Sequence, residues 1–300
     1  MRPPAGLAGL LAAIAAVSGA AAAAQAPPAG DEAIVVTGSR DREQAVRDFV
    51  EAVTIETDEQ IAKFATPVCP ASFGLPPGHN ETISARVRQI ADYVGIGAAG
   101  PGCQPNVVIV VAERGDDFVA RLHDERPDLF RAMELIDIRR VMRLTGPVRA
   151  WQVVEQRGAD GRPMDWIEVG RERRLRPLLT GVMPSLIQRP TRQDLTLSFI
   201  VFDLDAVEGL TLLQIADHAA IRALARTGAT AGPPRRSILS LFADRETGAA
   251  PAAELTEWDV AYLDGLYRTT NTVDAHQQRS SIARTMRREL GAGAEPSRDQ

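Results

Sequence analysis

Two aspartates and one histidine are the residues of this chain best placed to do chemistry. Asp203 and Asp205 stand two apart, just past the apolar run Leu195–Phe202. A carboxylate at the mouth of a buried strand suits a nucleophile, and a second beside it suits a proton carrier or a divalent-cation ligand. His218 follows at once. It lies within Leu212–Leu224, where apolar residues at 212, 215, 216, 219, 220, 223 and 224 mark one helical face. Gly209 separates strand from helix, Thr211 is the expected N-cap, and Gly228 is the expected stop. A hydrolase built on Asp203, Asp205 and His218, phosphatase-like or a divergent metallohydrolase, requires the three to converge on one cleft.

Other candidates are fewer. Arg171, Arg173 and Arg174 form a basic cluster with the charge to hold an anionic ligand. No phosphate-cradling glycines stand beside them, and a solvated strand end explains the same run. The four histidines, His79, His123, His218 and His276, have no His, Cys or carboxylate at the recurrent spacing of a metal site. No metal and no cofactor are therefore expected. There is no G-x-S-x-G, no P-loop and no G-x-G-x-x-G. A net charge of −5, without basic and aromatic residues interleaved, argues against general nucleic-acid binding.

Three stretches resemble known families. Phe199-Ile200-Val201-Phe202-Asp203-Leu204-Asp205 looks like the first motif of haloacid-dehalogenase-type phosphatases, which implies Asp203 as nucleophile and Asp205 as its acid partner. No lysine follows to take that family's cationic position, since Lys63 is the one lysine of the chain. Gln214-Ile215-Ala216-Asp217-His218 sits in an Ala/Leu-rich helix. Ser237-Ile238-Leu239 and then Leu255-Thr256-Glu257-Trp258-Asp259, Leu263 and Leu266-Tyr267 follow it. This last third is similar to exported bacterial proteins of unknown function that look like zincins with lost motifs. The resemblance implies a zincin-like scaffold without H-E-x-x-H: Gln214 stands at the first ligand position and Ile215 at that of the general base, leaving only His218. Ile34-Val35-Val36-Thr37-Gly38-Ser39-Arg40 resembles the start of the plug segment in TonB-dependent receptors of some alphaproteobacteria.

The elements that must position these residues are legible in outline. Residues 1–24 read as a signal peptide: Arg2, the apolar Leu7–Val17, then the small residues Ala20–Ala24 with cleavage after Ala24. Residues 25–40 read as an extended segment. A single α+β domain is expected over 41–290, with a mixed sheet and packed helices, and a disordered tail over 291–300. Helices are expected at 41–53, from an Asn80 cap to 94, at 116–123, 128–144, 256–267 and 274–290. Strands are expected at 106–112, 148–154, 166–169 and 195–202. Residues 66–79 and 184–193 read as loops. Cys69 and Cys103, an isolated pair in a chain read as exported, are expected to form a disulfide.

The function these readings favour is a non-catalytic binding or scaffold protein, periplasmic or secreted, with no integral membrane segment in the mature chain. An envelope protein is the expected partner, and the hydrolase is the alternative.

Overall fold

A computed structural model describes residues 31–164, 166–169, 174–177, 188–228 and 236–292. Residues from Arg40 onward belong to one compact unit. Helices pack on a mixed sheet, as the pattern of apolar runs and helical faces predicts, and parallel pairs predominate in it. The central strand is β7 (Thr191–Asp203), flanked on one side by β3 (Val107–Ala112) in parallel and on the other by β4 (Val148–Gly158) antiparallel. Beyond β3 lies β2 (Pro70–Phe73), also parallel. The two residues of β1 (Lys63–Phe64) pair with Asp194 and Leu195 at the start of β7. A separate hairpin joins β5 (Trp166–Val169) to β6 (Arg174–Pro177).

Strand β7 is longer than its apolar run because β4 pairs with it from residue 191 to 202, drawing in residues 191–193 that read as loop and Asp194 beside them. A bulge opposite Val153/Val154 leaves Thr196 unpaired in the β4 register and swaps the faces of the residues before it. Strand β2 also lies in a stretch that reads as loop. Pro70 is its first residue and it is an outer strand, the two places where proline does not break a ladder. Gly74 follows with φ +95; a Cβ there would lie 1.9 Å from the Val111 carbonyl oxygen. Only glycine lets the chain leave β2 so close to β3.

Alternation along β3 and β7 divides the core. Ile109, Val111, Ile200 and Phe202 face the larger cluster, and Val110, Phe199 and Val201 face the smaller. The larger side is covered by α2 (Pro77–Tyr93) and α6 (Leu212–Leu224), with α1 (Asp31–Val53), α8 (Glu257–Arg268) and α9 (Ala275–Ala292) in the same cluster. The smaller side is covered by α3 (Gly115–Glu125), a 3-10 turn at Pro127–Phe130 and α4 (Leu135–Val141). There Trp151 stacks between Phe130 and Phe199, at 6.0 and 4.7 Å between ring centroids.

Strand β4 runs on to Gly158, past the expected 154, and several helix boundaries also differ from expectation. From Asp31 the chain is helical where an extended segment was expected, because a packed amphipathic helix propagates into its own N-terminal flank at little cost. Helix α2 begins at Pro77, which takes the first helical position, and Asn80 instead bonds to both backbone groups of Leu75. The expected helix at 128–144 is broken into a 3-10 turn and the short α4, as Phe130 turns inward to stack on Trp151. Helix α9 runs to Ala292, so Gly291 and Ala292 are not tail. The proposed signal peptide, residues 293–300, Arg171 and Arg173 lie outside the described residues; Arg174 opens β6, opposite Val169.

Candidate functional site

Strands β3 and β7 are adjacent and parallel, yet the chain leaves them toward opposite faces of the sheet. After β3 it passes to α3, on the smaller core; after β7 it passes through α5 (Leu204–Val207) to α6, on the larger. Such a switch opens a crevice at the carboxyl ends of the strands, where open α/β sheets characteristically bind ligands. Asp203 ends β7 at this point. Its Oδ1 accepts the Gly115 N–H at 2.6 Å and the Arg149 Nη1–H at 2.8 Å. Arg149 reaches over from β4, where its side chain is only 7% exposed, and its Nε donates to the Leu144 carbonyl.

Asp203 therefore caps α3 from another element. The local cap residue, Arg114, makes no capping bond. A helix N-terminus offers unsatisfied N–H groups and the positive end of a dipole to an anion, and here the anion is the protein's own carboxylate. Gly115 permits the approach: a Cβ would lie 2.3 Å from Arg149 Nη1 and 2.8 Å from Asp203 Oδ1. Asp203 retains 27% side-chain exposure. Outside it, exposed Arg114 pairs with Asp116 and Asp117. The Asp116 carboxyl is held below the usual range, chiefly by the Asp117 amide and also by Arg114 and Arg149. Asp205 is exposed on α5.

Helix α6 is fixed at its start by a reciprocal cap: Thr211 Oγ1 accepts the Gln214 N–H, and Gln214 Oε1 accepts the Thr211 N–H. The Gln214 amide also donates to the Ala252 carbonyl at 2.8 Å. Ile215 lies in the larger core. The positions where a zincin would carry its first histidine and its glutamate are thus a cap and a core contact. Asp217 is fully buried. It accepts Nε–H and Nη2–H of Arg86 on α2, at 2.7 and 3.0 Å, and the Leu255 N–H at 2.7 Å.

His218 is fully buried as well, and it makes no side-chain hydrogen bond. Its ring stands edge-on between Phe202 and Phe242, at 5.7 and 5.1 Å, and neither ring nitrogen has a partner. Burial, with Arg222 adding, pushes its pKa well below 6.5. The ring is therefore neutral at neutral pH.

The structure does not bring the three sequence candidates to one cleft. Phe202, which His218 touches, and Asp203 are neighbours on a strand and so point to opposite faces. Asp203 belongs to the N-terminus of α3, His218 to the core beneath α6. Among the described residues no group of three or more His, Cys, Asp or Glu is placed to hold a metal ion.

Two features escaped the sequence reading. Lys63 is buried, with its ammonium donating to the carbonyls of Leu266, Tyr267 and Thr269 where α8 ends. Burial and Arg192 lower its pKa to about 8 against the opposing pull of Asp194. The second is a groove of about 260 Å³ between α2 and α8. Ile90, Val94, Leu255, Val260 and Leu263 line it, with Tyr93 at its rim and Arg86 at one end. Its walls come from helical positions 170 residues apart, and an outward Val or Tyr carries no mark in sequence. No family model, curated protein or solved structure matches this chain.

Proposed function

We propose that this chain is an exported, non-catalytic binding protein whose ligand-facing surface is the apolar groove between α2 and α8. One observation carries the reading. Asp203, Asp217 and His218 are engaged in holding the fold and Asp205 stands apart on the exposed face of α5, while the groove presents an open apolar surface beside an immobilised cation. Asp203 caps α3, Asp217 fixes Arg86 and the backbone at Leu255, and His218 is sealed between aromatic rings. Arg86 is balanced by Asp217 and Glu254, so the groove suits a neutral apolar ligand better than an anion. Export is supported by the Arg2, Leu7–Val17, Ala20–Ala24 sequence and by the Cys69–Cys103 disulfide, a bond that persists in oxidising compartments. The zincin-like scaffold belongs to the same proposal: Gln214 supplies a cap and Ile215 packing where such a helix would supply a metal ligand and a base.

Titration with N-phenylnaphthylamine, a neutral fluorescent probe, tests the groove. The expected result is saturable binding that weakens by about tenfold or more in Val260→Glu, a loss of about 1.4 kcal/mol, with circular dichroism showing the variant folded at the assay temperature. Equal binding by both proteins overturns the groove. Asp203 at the switch point is what favours the hydrolase instead. Turnover of phosphate monoesters that disappears in Asp203→Asn would replace the binding reading with that one. Mass spectrometry of the mature N-terminus tests export: a start at Gln25 supports it, and an intact Met1 in the cytoplasm overturns it.

A further inference from the structure

On the opposite side of the sheet from that groove, α4 turns the wrong kind of residue to solvent. Ile138 and Val141 pack into the smaller core. Leu135, Ile136 and Met142 are 72%, 62% and 41% exposed, among the most exposed large apolar side chains described. At 100° per residue, Ile136 shares its outward face with Arg139, Arg140 and Arg143, and Leu135 flanks it. All three arginines are exposed. Asp137 pairs with Arg140; among the described residues Arg139 and Arg143 have no acidic ion-pair partner. The chain as a whole carries a net charge of −5, so this is a cationic, aliphatic projection on an acidic protein.

We propose that α4 and its flanks form a contact with an anionic phospholipid surface. Leu135, Ile136 and Met142 would enter the boundary between headgroups and acyl chains, and Arg139 and Arg143 would lie among the phosphates. Charge complementarity selects the lipid: an arginine fork matches phosphate oxygens, and guanidinium sheds its weak hydration readily. Shape selects it over a folded partner. The aliphatic side chains project from a seven-residue helix, and a bilayer interface has no fixed relief to match. Nucleic acid is disfavoured because none of these exposed apolar residues is aromatic, so no platform for base stacking is offered.

Co-sedimentation of the full chain with vesicles tests this. The expected result is binding to phosphatidylglycerol/phosphatidylethanolamine vesicles, weak binding to phosphatidylcholine vesicles, and loss of binding as salt rises. Leu135→Ser with Ile136→Ser, and separately Arg139→Glu with Arg143→Glu, should each reduce the bound fraction severalfold. Their thermal unfolding should match the parent, because these side chains are exposed. No binding to phosphatidylglycerol vesicles overturns the proposal, as does binding that both double variants retain. Binding to an acidic polypeptide or to nucleic acid, without vesicle binding, assigns the surface to that partner instead. Val260→Glu should leave vesicle binding intact, which separates a failure here from a failure of the groove.

Discussion

His218 shows how little a residue's type fixes its role. In a helix preceded by a DxD strand it reads as a candidate acid, base or ligand; in the structure it is a neutral aromatic filler between Phe202 and Phe242. Its depressed pKa has a defined consequence for stability. Above pH 6.5 the imidazole is neutral in both folded and unfolded chains, and its contribution does not change. Below 6.5 the unfolded chain takes up a proton that the folded chain refuses. Stability is therefore lost as pH falls from 6.5 toward the depressed folded value, at up to about 1.4 kcal/mol per pH unit from this group. His218→Leu should flatten that slope. It should also stabilise the protein at neutral pH by roughly 1–3 kcal/mol, since it removes two buried nitrogens without partners. Urea unfolding of both proteins at pH 5.5 and 7.5 measures this, and an unchanged slope in the variant would place the acid sensitivity in other groups.

At the scale of elements, α6 is held at three points, and each point serves a different part of the fold. The Thr211–Gln214 cap satisfies its first turn, and Gln214 reaches on to Ala252. Asp217 joins it to α2 through Arg86 and to the entry of α8 through the Leu255 N–H. The apolar stripe lies against β7 and α8. The ion pair matters chiefly through what its loss would leave behind. Asp217→Ala leaves the partly exposed Arg86 guanidinium to Glu254 and Gln89 alone and the buried Leu255 N–H unmet, at a cost of about 1–3 kcal/mol. Arg86→Met with Asp217→Leu should recover part of it, because apolar replacement removes the charge left without Asp217. Chemical denaturation of the two variants decides this. A single-variant loss below about 1 kcal/mol, the range of an exposed pair, would mean that Arg86 and the Leu255 N–H find other partners.

Across the whole molecule, two cores share one sheet, and the disulfide lies at the thin end of it. Cys69 precedes β2 and Cys103 precedes β3, with Cα atoms 6.1 Å apart and a sequence separation of 34. The strands they introduce pair in parallel from Pro70 and Val107 onward. Asn106 joins the same corner, its side chain accepting the Cys69 N–H. The bridge thus closes the loop that carries α2 and pins the start of an outer strand only four residues long. Closing a loop of this length stabilises by ~3–4 kcal/mol on the chain-entropy account. Cys69→Ser with Cys103→Ser should lose about that much in denaturant unfolding, with native secondary structure retained. A loss under ~1 kcal/mol would show that hydrogen bonds around β2 already supply the constraint.

Sequence alone determined whatever local periodicity and chain chemistry fix. The apolar runs placed β3 and the heart of β7, since a buried strand must be apolar on both faces. The 3.6-residue spacing placed α2, α6, α8 and α9, and the Thr211 cap was readable from its type and position. The pairing of Cys69 with Cys103 followed from their being the only two cysteines. The tertiary structure decided everything that depends on which face a residue shows and what meets it there. Pairing with β4 lengthened β7 into a polar stretch, and pairing with β3 made a strand of Pro70–Phe73. The crossing of the chain to opposite faces after β3 and β7 sent Asp203 to α3 and kept His218 in the other core. A two-residue periodicity alternates sides but does not say which helix waits on each, and that information lies in contacts between residues 88 positions apart or more, such as Gly115 with Asp203.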